Sequence, residues 1–239
     1  RRFSERLVPE KCSSPDIRLL KLHATHCRFQ TSPFTLQTSN MAGRYKAYPE
    51  YKDSEVGWLG AIPSLWRVTA LKRLCCLRTG LTPPTSNQSH YSDEETDFPW
   101  FRPEDLTEEL KDSRASKYLT EAGWSMMRPV PSDSVLICCI GTIGKAGYVS
   151  CEAVTNQQIT AATFRENSRY YFYVVLAARS ELNESATGNV LKILNSERLG
   201  GVYFPIPPLP EQKQIARFLD HETGKIDVRD WEPAEKGEE

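Results

Sequence analysis

Two apolar runs stand out along the chain, separated by polar segments that contain proline and glycine. The run at residues 134–140 is short and rich in β-branched residues, which predicts a buried strand. Two glycines in 141–145 end this run, and Tyr148 and Val149 begin another strand, so a hairpin turn is predicted between them. The run at 170–179 is apolar on every side of a helix, which predicts a buried helix.

A proline-rich segment leads into a second predicted helix near the end of the chain. Three prolines within 205–208 favour extended backbone there, and Pro210 fits the first helical position, where its missing N–H costs nothing. Glu211 then lies in the first turn, where the helix dipole favours a negative charge. The helix presents an apolar stripe, formed by Ile215, Phe218, Leu219 and Ile226.

The segment before the first strong run alternates turn residues with aromatic residues. Residues 48–68 are predicted to form an extended lead-in that docks Trp58 and Trp66 on the domain, and 66–71 to form a strand or a short helix. Residues 191–194 and 202–204 are predicted to form closing elements. Strands and helices are both predicted in one globular domain, so the predicted fold class is α+β.

Composition and cysteine usage narrow the class of protein. The chain of 239 residues is 39% hydrophobic and 26% charged, as in soluble globular proteins, and it has no apolar run long enough for a membrane. Its 7 cysteines are odd in number and contain no C-x-x-C. This usage argues against a disulfide framework or a zinc site and predicts a reducing, cytoplasmic environment.

No constellation of catalytic or metal-ligating residues emerges from the sequence. The cluster His23, His26 and Cys27 offers three ligand types without a partner motif, whereas structural metal sites usually have four spaced ligands, so no metal is predicted. Neither a nucleophile motif nor a zinc-protease motif occurs, and His90 and His221 lie in polar contexts. We therefore predict no catalytic residue and no cofactor.

The turn at 141–145 has the glycines and the lysine of a phosphate-binding loop but departs from that motif. Cys139 stands where the first glycine is required, and Ala146 replaces the serine or threonine that would hold magnesium, so a nucleotide site is excluded. Two glycines, exposed backbone N–H groups and a lysine still allow this turn to approach a phosphate closely, and the same residues fit a simple hairpin turn. Its candidate phosphate contacts are Gly141, Gly144 and Lys145.

One group of amides and one aromatic run each have a nucleic-acid interpretation beside a structural one. Asn156 and Gln157 can pair with adenine in the major groove, although isolated amides more often satisfy the backbone of their own loop. The aromatic run 170–173 can stack on bases, but the buried helix is the preferred interpretation.

Several short motifs, taken in order, resemble the DNA-specificity subunits of type I restriction–modification systems. Each motif is tolerant alone, but their order and spacing over 48–227 make the resemblance specific. The motifs are YPEYKDS at 48–54 with WLGAIPSLW at 58–66 and GLTP at 80–83, FPW at 98–100 with DL at 105–106, GTIGK at 141–145 with TNQ at 155–157, and PPLPEQK at 207–213 with FLD at 218–220, ET at 222–223 and KID at 225–227.

This resemblance implies a non-catalytic DNA-binding function. Such subunits carry two target recognition domains that each read half of a split DNA site, and each domain precedes a long helix. The two helices pair antiparallel as a spacer, modification subunits dock on this scaffold and methylate adenine, and a restriction subunit joins them. The implied partners are therefore double-stranded DNA, the modification subunits and the restriction subunit.

A DNA-binding function assigns expected roles to the polar candidates of the chain. Phosphates are expected to be held by the turn at 141–145 and by three further cations, Arg102, Lys117 and Arg128. Bases are expected to be read by polar side chains on loops, with Asn156, Gln157 and Thr142 as the candidates.

The same resemblance divides the chain into four predicted parts. Residues 1–40 are a disordered or spurious extension, with Met41 as the expected initiator, and 41–208 form a single target recognition domain. Residues 209–227 begin the spacer helix, and its apolar stripe of Ile215, Phe218, Leu219 and Ile226 is expected to meet a partner helix. Residues 228–239 form a disordered tail because Pro233 stops a helix. One recognition domain and a helix of about 27 Å at 1.5 Å per residue point to a truncated product.

Three hypotheses remain at this point. The preferred one is a sequence-specific DNA-binding subunit that directs the modification and restriction subunits to a half-site. The alternative is a remnant that docks a methyltransferase partner without useful DNA binding, and salt-dependent DNA affinity would argue against it. An independent enzyme is disfavoured because the catalytic constellation is missing.

Overall fold

The computed structural model describes residues 48–108 and 112–222. The predictions for 1–40, for Met41, for Ile226 and for 228–239 lie outside these residues. The described chain contains both strands and helices in segregated runs around an antiparallel sheet, which confirms the α+β class. The strands are β1 (Tyr51–Asp53), β2 (Ala61–Pro63), β3 (Arg67–Ala70), β4 (Cys75–Thr79), β5 (Tyr91–Ser92), β6 (Trp100–Phe101), β7 (Tyr118–Leu119), β8 (Ser134–Cys138), β9 (Ala146–Val149), β10 (Val154–Thr155), β11 (Ile159–Phe164) and β12 (Tyr203–Ile206). The α-helices are α1 (Glu121–Trp124), α2 (Ser168–Ala177), α3 (Arg179–Ser185), α4 (Ser196–Gly201) and α5 (Leu209–Glu222).

A four-stranded antiparallel sheet in the order β4-β11-β8-β9 forms the centre of the domain. The predicted strand and hairpin are confirmed, since β8 and β9 pair from Ser134 opposite Val149 to Ile137 opposite Ala146. Because neighbouring strands are antiparallel, β4 and β8 end where β9 and β11 begin. We call this edge the loop end of the sheet.

Both faces of the central sheet are buried at β8, and the sequence of this strand explains why. All five of its residues are buried, as expected for a strand written as a continuous apolar run. Val135 and Ile137 belong to the main core beneath α2, whereas Leu136 and Cys138 belong to a second core on the opposite face. The strand period of two therefore separates the side chains between two cores.

The buried helix predicted at 170–179 is confirmed as α2. Asn167 caps it, because its side chain accepts a hydrogen bond from the backbone N–H of Tyr170 at 3.2 Å. The ring of Tyr171 stacks on Phe164 of the adjacent strand with centroids 4.3 Å apart. Residues all round the helix are buried, so none of its aromatic rings is available for stacking on bases.

The two ends of the described chain pack together beside the sheet. β3 pairs antiparallel with β12, and the predicted strand or short helix at 66–71 is a strand followed by a 3-10 turn at Leu71–Arg73. The predicted docking of the two tryptophans is confirmed. Trp58 donates a hydrogen bond from Nε1 to the Tyr203 carbonyl at 3.2 Å, and Trp66 is buried.

The proline-rich segment is extended as predicted, and α5 follows it. The helix begins at Leu209, so Pro210 is its second residue and not its first; this position also lacks an intrahelical acceptor for its N–H. Ile215 and Leu219 are buried in the main core. The stripe predicted to meet a partner helix therefore packs on the chain's own domain, and Phe218 is half-buried beside it.

Candidate nucleic-acid interface

Four loops meet at the loop end of the sheet and are joined by backbone hydrogen bonds. They are 80–84, 139–145, 156–158 and 186–195. Leu81 donates to the Thr155 carbonyl at 2.9 Å, and Leu194 donates to the Cys139 carbonyl at 2.8 Å. The sheet thus gathers segments that are far apart in the sequence into one surface.

The glycines of the turn at 141–145 are required by its backbone. Gly141 and Gly144 have φ angles of +82° and +77°, which side chains disfavour. No helix follows the turn, because it joins two antiparallel strands, and this agrees with the exclusion of a nucleotide loop.

The backbone N–H groups of this turn were expected to be exposed, but most of them are hydrogen-bonded within the protein. Four of them donate within the protein at 3.0 to 3.2 Å, so none of these four is free to bind a phosphate. Thr142 keeps an exposed side chain at the tip of the turn. The donors are Gly141, Ile143, Gly144 and Lys145, and their respective acceptors are the carbonyls of Lys192, Gly141, Cys138 and Thr142.

Two of the predicted phosphate-binding cations already have partners inside the protein. Lys145 donates from Nζ to the Pro103 carbonyl at 2.6 Å and is half-buried. Arg102 forms an ion pair with Glu104 at 2.9 Å and donates to the Ser116 hydroxyl at 3.0 Å. A phosphate would have to compete with these contacts, so their role in DNA binding remains a prediction.

The other two cations are exposed but lie in different places. Lys117 follows Ser116 and accepts a hydrogen bond from the backbone of Trp100 at its own carbonyl, next to the strand that leads to Arg102. Arg128 precedes Val130, whose bridge to Ala153 lies at the end of β10 away from the loop end. Lys117 thus adjoins Ser116, which contacts Arg102, whereas Arg128 adjoins Pro129, whose carbonyl accepts a hydrogen bond from Arg78 of β4.

The amides predicted as base-reading groups divide into one structural residue and one exposed residue. Asn156 is buried, and its Oδ1 accepts from the Gln158 N–H at 3.1 Å while its Nδ2 donates to the Gln158 side chain at 3.0 Å. This is the loop-satisfying role that the sequence favoured. Gln157 is exposed, and its side-chain oxygen accepts a hydrogen bond from the hydroxyl of Thr82.

Sequence reasoning missed two contributions to this surface. One is Thr82, whose pairing with Gln157 depends on the sheet and has no local signal in the sequence. The closing element expected at 191–194 has no regular secondary structure, and Leu191 and Ile193 are exposed. The signal for this loop was its adjacent apolar residues in a segment rich in turn formers.

The thiols near the turn lack the properties of nucleophiles. Burial raises the pKa of the Cys139 thiol to about 11 and also raises the pKa of Cys138. Among residues 48–108 and 112–222, no group of three or more metal-ligating side chains occurs. Nor is any described helix both long and apolar enough to span a bilayer.

A comparison of the sequence with protein-family models identifies the family of this chain. Residues 63–230 match the family described as type I restriction modification DNA specificity domain, which is well over half of the chain. The chain belongs to this family. The resemblance read from the short motifs is thereby confirmed.

Two curated relatives share this specificity-domain sequence. The specificity subunit of type I restriction enzyme EcoR124I/EcoR124II from Escherichia coli is 24% identical over 241 residues, which cover 91% of this chain and 56% of the relative. The EcoBI specificity subunit, also from Escherichia coli, is 24% identical over 142 residues, covering 58% of this chain and 29% of the relative. The chain thus spans about half of the first relative's length and a smaller share of the second.

Solved structures share the fold of this family member. The HsdS subunit from Thermoanaerobacter tengcongensis matches with a TM-score of 0.54 at 21% identity, covering 67% of this chain and 37% of that chain. A chain from a study of complex assembly and conformational transition of the type I R-M system matches with a TM-score of 0.56 at 21% identity, covering 67% and 39%. These likenesses support the α+β architecture.

Proposed function

We propose that this chain reads a DNA half-site and directs the modification and restriction subunits of a type I restriction–modification system to it. The observation that carries the proposal is the family match over 63–230, since that family is described as a DNA specificity domain. The proposed recognition unit corresponds to 41–208. The function is one of binding, and the chemistry belongs to the partner subunits.

The loop end of the sheet is the proposed DNA-reading surface. Exposed polar side chains there can reach base edges, with Gln157 suited to adenine and Thr142 to several bases. Lys117 can bind a phosphate directly, whereas Lys145 and Arg102 would exchange their present partners for one. Arg128 remains a candidate for a phosphate farther along the duplex.

The proposed partners follow from the same family. Modification subunits would join the chain, partly along α5, and the restriction subunit would join through that complex. A cytoplasmic location is part of this proposal, and it is supported by the free thiols of the described cysteines, Cys75, Cys76, Cys138, Cys139 and Cys151. A docking remnant without DNA binding is not favoured, because a DNA specificity family covers most of the chain.

Co-purification of the chain with a modification subunit, followed by DNA binding at several salt concentrations, tests the proposal. We expect a complex that binds duplex DNA and loses roughly 40-fold in affinity between about 50 and about 200 mM salt, as when about three phosphates are neutralised. A stable complex without affinity for duplex DNA would overturn the DNA-reading function. A chain that captures neither partner would overturn the proposal entirely.

A further inference from the structure

The loop at 186–195 exposes an unusual concentration of apolar surface. Eight large apolar side chains are exposed among the described residues, and three of them lie within 190–193. Val190 is fully exposed and Leu191 is 53% exposed. Such exposure costs solvation free energy, so an adjacent apolar pair at a loop tip indicates a surface that another molecule covers. We call 189–192 the apolar tip.

Backbone contacts restrain the apolar tip at its base. Thr187 and Ile193 exchange hydrogen bonds, with N···O distances of 3.0 and 2.7 Å, and so close the loop. Gly188 has a φ of +115°, and a Cβ there would lie 2.2 Å from the Leu191 carbonyl oxygen. The tip therefore requires glycine at 188, and the closed base lowers the conformational entropy that the tip loses when a ligand binds.

The same loop is attached to the proposed DNA-reading surface. Gly141 donates to the Lys192 carbonyl at 3.2 Å, and Leu194 donates to the Cys139 carbonyl at 2.8 Å. These bonds place the apolar tip beside the turn that carries Thr142. The tip and the polar loops consequently lie at one end of the sheet.

The chemistry of the tip distinguishes DNA from a protein partner. Lys192 is the only charged residue between Ser185 and Ser196, and Glu184 and Glu197 flank that segment on either side. An exposed amide on Asn189 and two apolar side chains fit base edges. The ammonium of Lys192 donates to the Asn183 carbonyl at 3.3 Å and would exchange this contact for a phosphate. Valine and leucine are under-represented among the energetically dominant residues of protein–protein interfaces.

We propose that Val190 and Leu191 contact bases of the bound DNA duplex directly and contribute to the choice of sequence. This inference rests on the proposed function. The tip would enter a groove together with the polar loops, and its apolar side chains would lie against a thymine methyl group or a base face.

The test uses the full chain with its modification subunit and a pool of duplexes with a randomised centre, sequenced before and after binding. The variant carries Val190→Ser and Leu191→Ser, and Leu65→Ser, at an exposed apolar residue between β2 and β3, is the control. We expect the double variant to lose about tenfold in preference for the selected duplex over the unselected pool. Its affinity for the unselected pool and the behaviour of the control should be unchanged.

The alternative outcomes are distinguishable. Preference retained within about twofold by the double variant would overturn the inference while leaving DNA reading intact. Loss of the modification subunit with unchanged preference would overturn it in favour of a protein contact. If the unaltered complex binds no duplex, the proposed function fails and this inference fails with it. Val190→Ser alone, at a fully exposed position, keeps the test valid if the double variant folds poorly.

Discussion

At the scale of single residues, Gly80 is fixed by how closely another strand approaches it. A Cβ at this position would lie 2.1 Å from the Thr155 carbonyl oxygen and 2.4 Å from that of Asn156, so the backbone of the loop end would have to move. We expect Gly80→Ala to lower the free energy of unfolding by about 1–3 kcal/mol. Urea denaturation measures the change.

The matched control is Gly57→Ala. No atom lies within 4 Å of a Cβ built on Gly57, so its effect should stay within about 0.5 kcal/mol. Equal stability of the two variants would show that Gly80 does not approach the strand as described.

Two adjacent cysteines in β4 should differ in reactivity. Burial raises the pKa of the Cys75 thiol to about 12, with a smaller contribution from Cys76, whereas Cys76 is exposed. A thiol with that pKa is protonated at pH 8, so we expect iodoacetamide to modify Cys76 at least about 100-fold faster than Cys75. Peptide mass spectrometry separates the two sites. In denaturant the rates should converge, and equal rates without denaturant would contradict the packing of β4.

Residue types alone could identify candidates at the site but not their partners. Lys145 and Arg102 are candidates because cations bind phosphates, but the structure shows that both side chains contact other groups of the protein. The acceptor of Lys145, the Pro103 carbonyl, is 42 residues away in the sequence. Such a contact arises from the tertiary fold, so no local sequence pattern predicts it.

At the scale of elements, α5 is fixed to its domain by polar contacts as well as by its apolar stripe. Asp220 accepts from Arg169 Nε at 2.8 Å and from the hydroxyl of Tyr173 on α2. Burial and then the hydrogen bond to Asp220 raise the pKa of Tyr173, so its hydroxyl stays protonated and donates. At the other end of the helix, Trp66 donates to Glu211 at 3.2 Å.

Removing the charge of Asp220 should loosen this attachment. We expect Asp220→Asn to lower the free energy of unfolding by about 1–3 kcal/mol, because Arg169 loses a charged hydrogen-bond partner in a mostly buried setting. Lys213→Gln, at an exposed position of the same helix, should change it by less than about 0.5 kcal/mol. Chemical denaturation of both variants measures these changes in the free energy of unfolding. If Asp220→Asn is as stable as the control, Asp220 does not attach α5 to the domain.

Elements with a long apolar pattern were predictable, and the shortest ones were not. β8 and α2 followed from continuous apolar runs whose length separates strand from helix. The two-residue strands β6 and β10 pair in parallel across 54 residues of sequence, from Trp100 to Val154. Two residues are too few to show a period, so only tertiary packing defines such strands.

At the scale of the whole molecule, the loop end combines residues that support the fold with exposed residues that we propose to read DNA. Gln157→Ala should reduce preference for the selected duplex by about tenfold without changing stability, because its side chain is exposed. Asn156→Ala should instead lower stability by about 1–2 kcal/mol, because its amide satisfies the 156–158 loop.

Pool selection and thermal denaturation of both variants measure these two effects. Gln214→Ala removes an exposed amide on α5 and should alter neither quantity. A Gln157→Ala chain with unchanged sequence preference would remove that side chain from the reading surface.

Because the two ends of the described chain pair with each other, the domain can complete its native contacts only late in synthesis. Trp66 and its partner Glu211 are 145 residues apart, and β3 pairs with β12 across a similar span. At about 5–20 residues per second, the ribosome needs roughly 7–30 s after Trp66 to synthesise the residues that complete these contacts. During that interval the apolar side of the nascent lead-in has no native cover, so a chaperone that engages it would act before the final helix emerges.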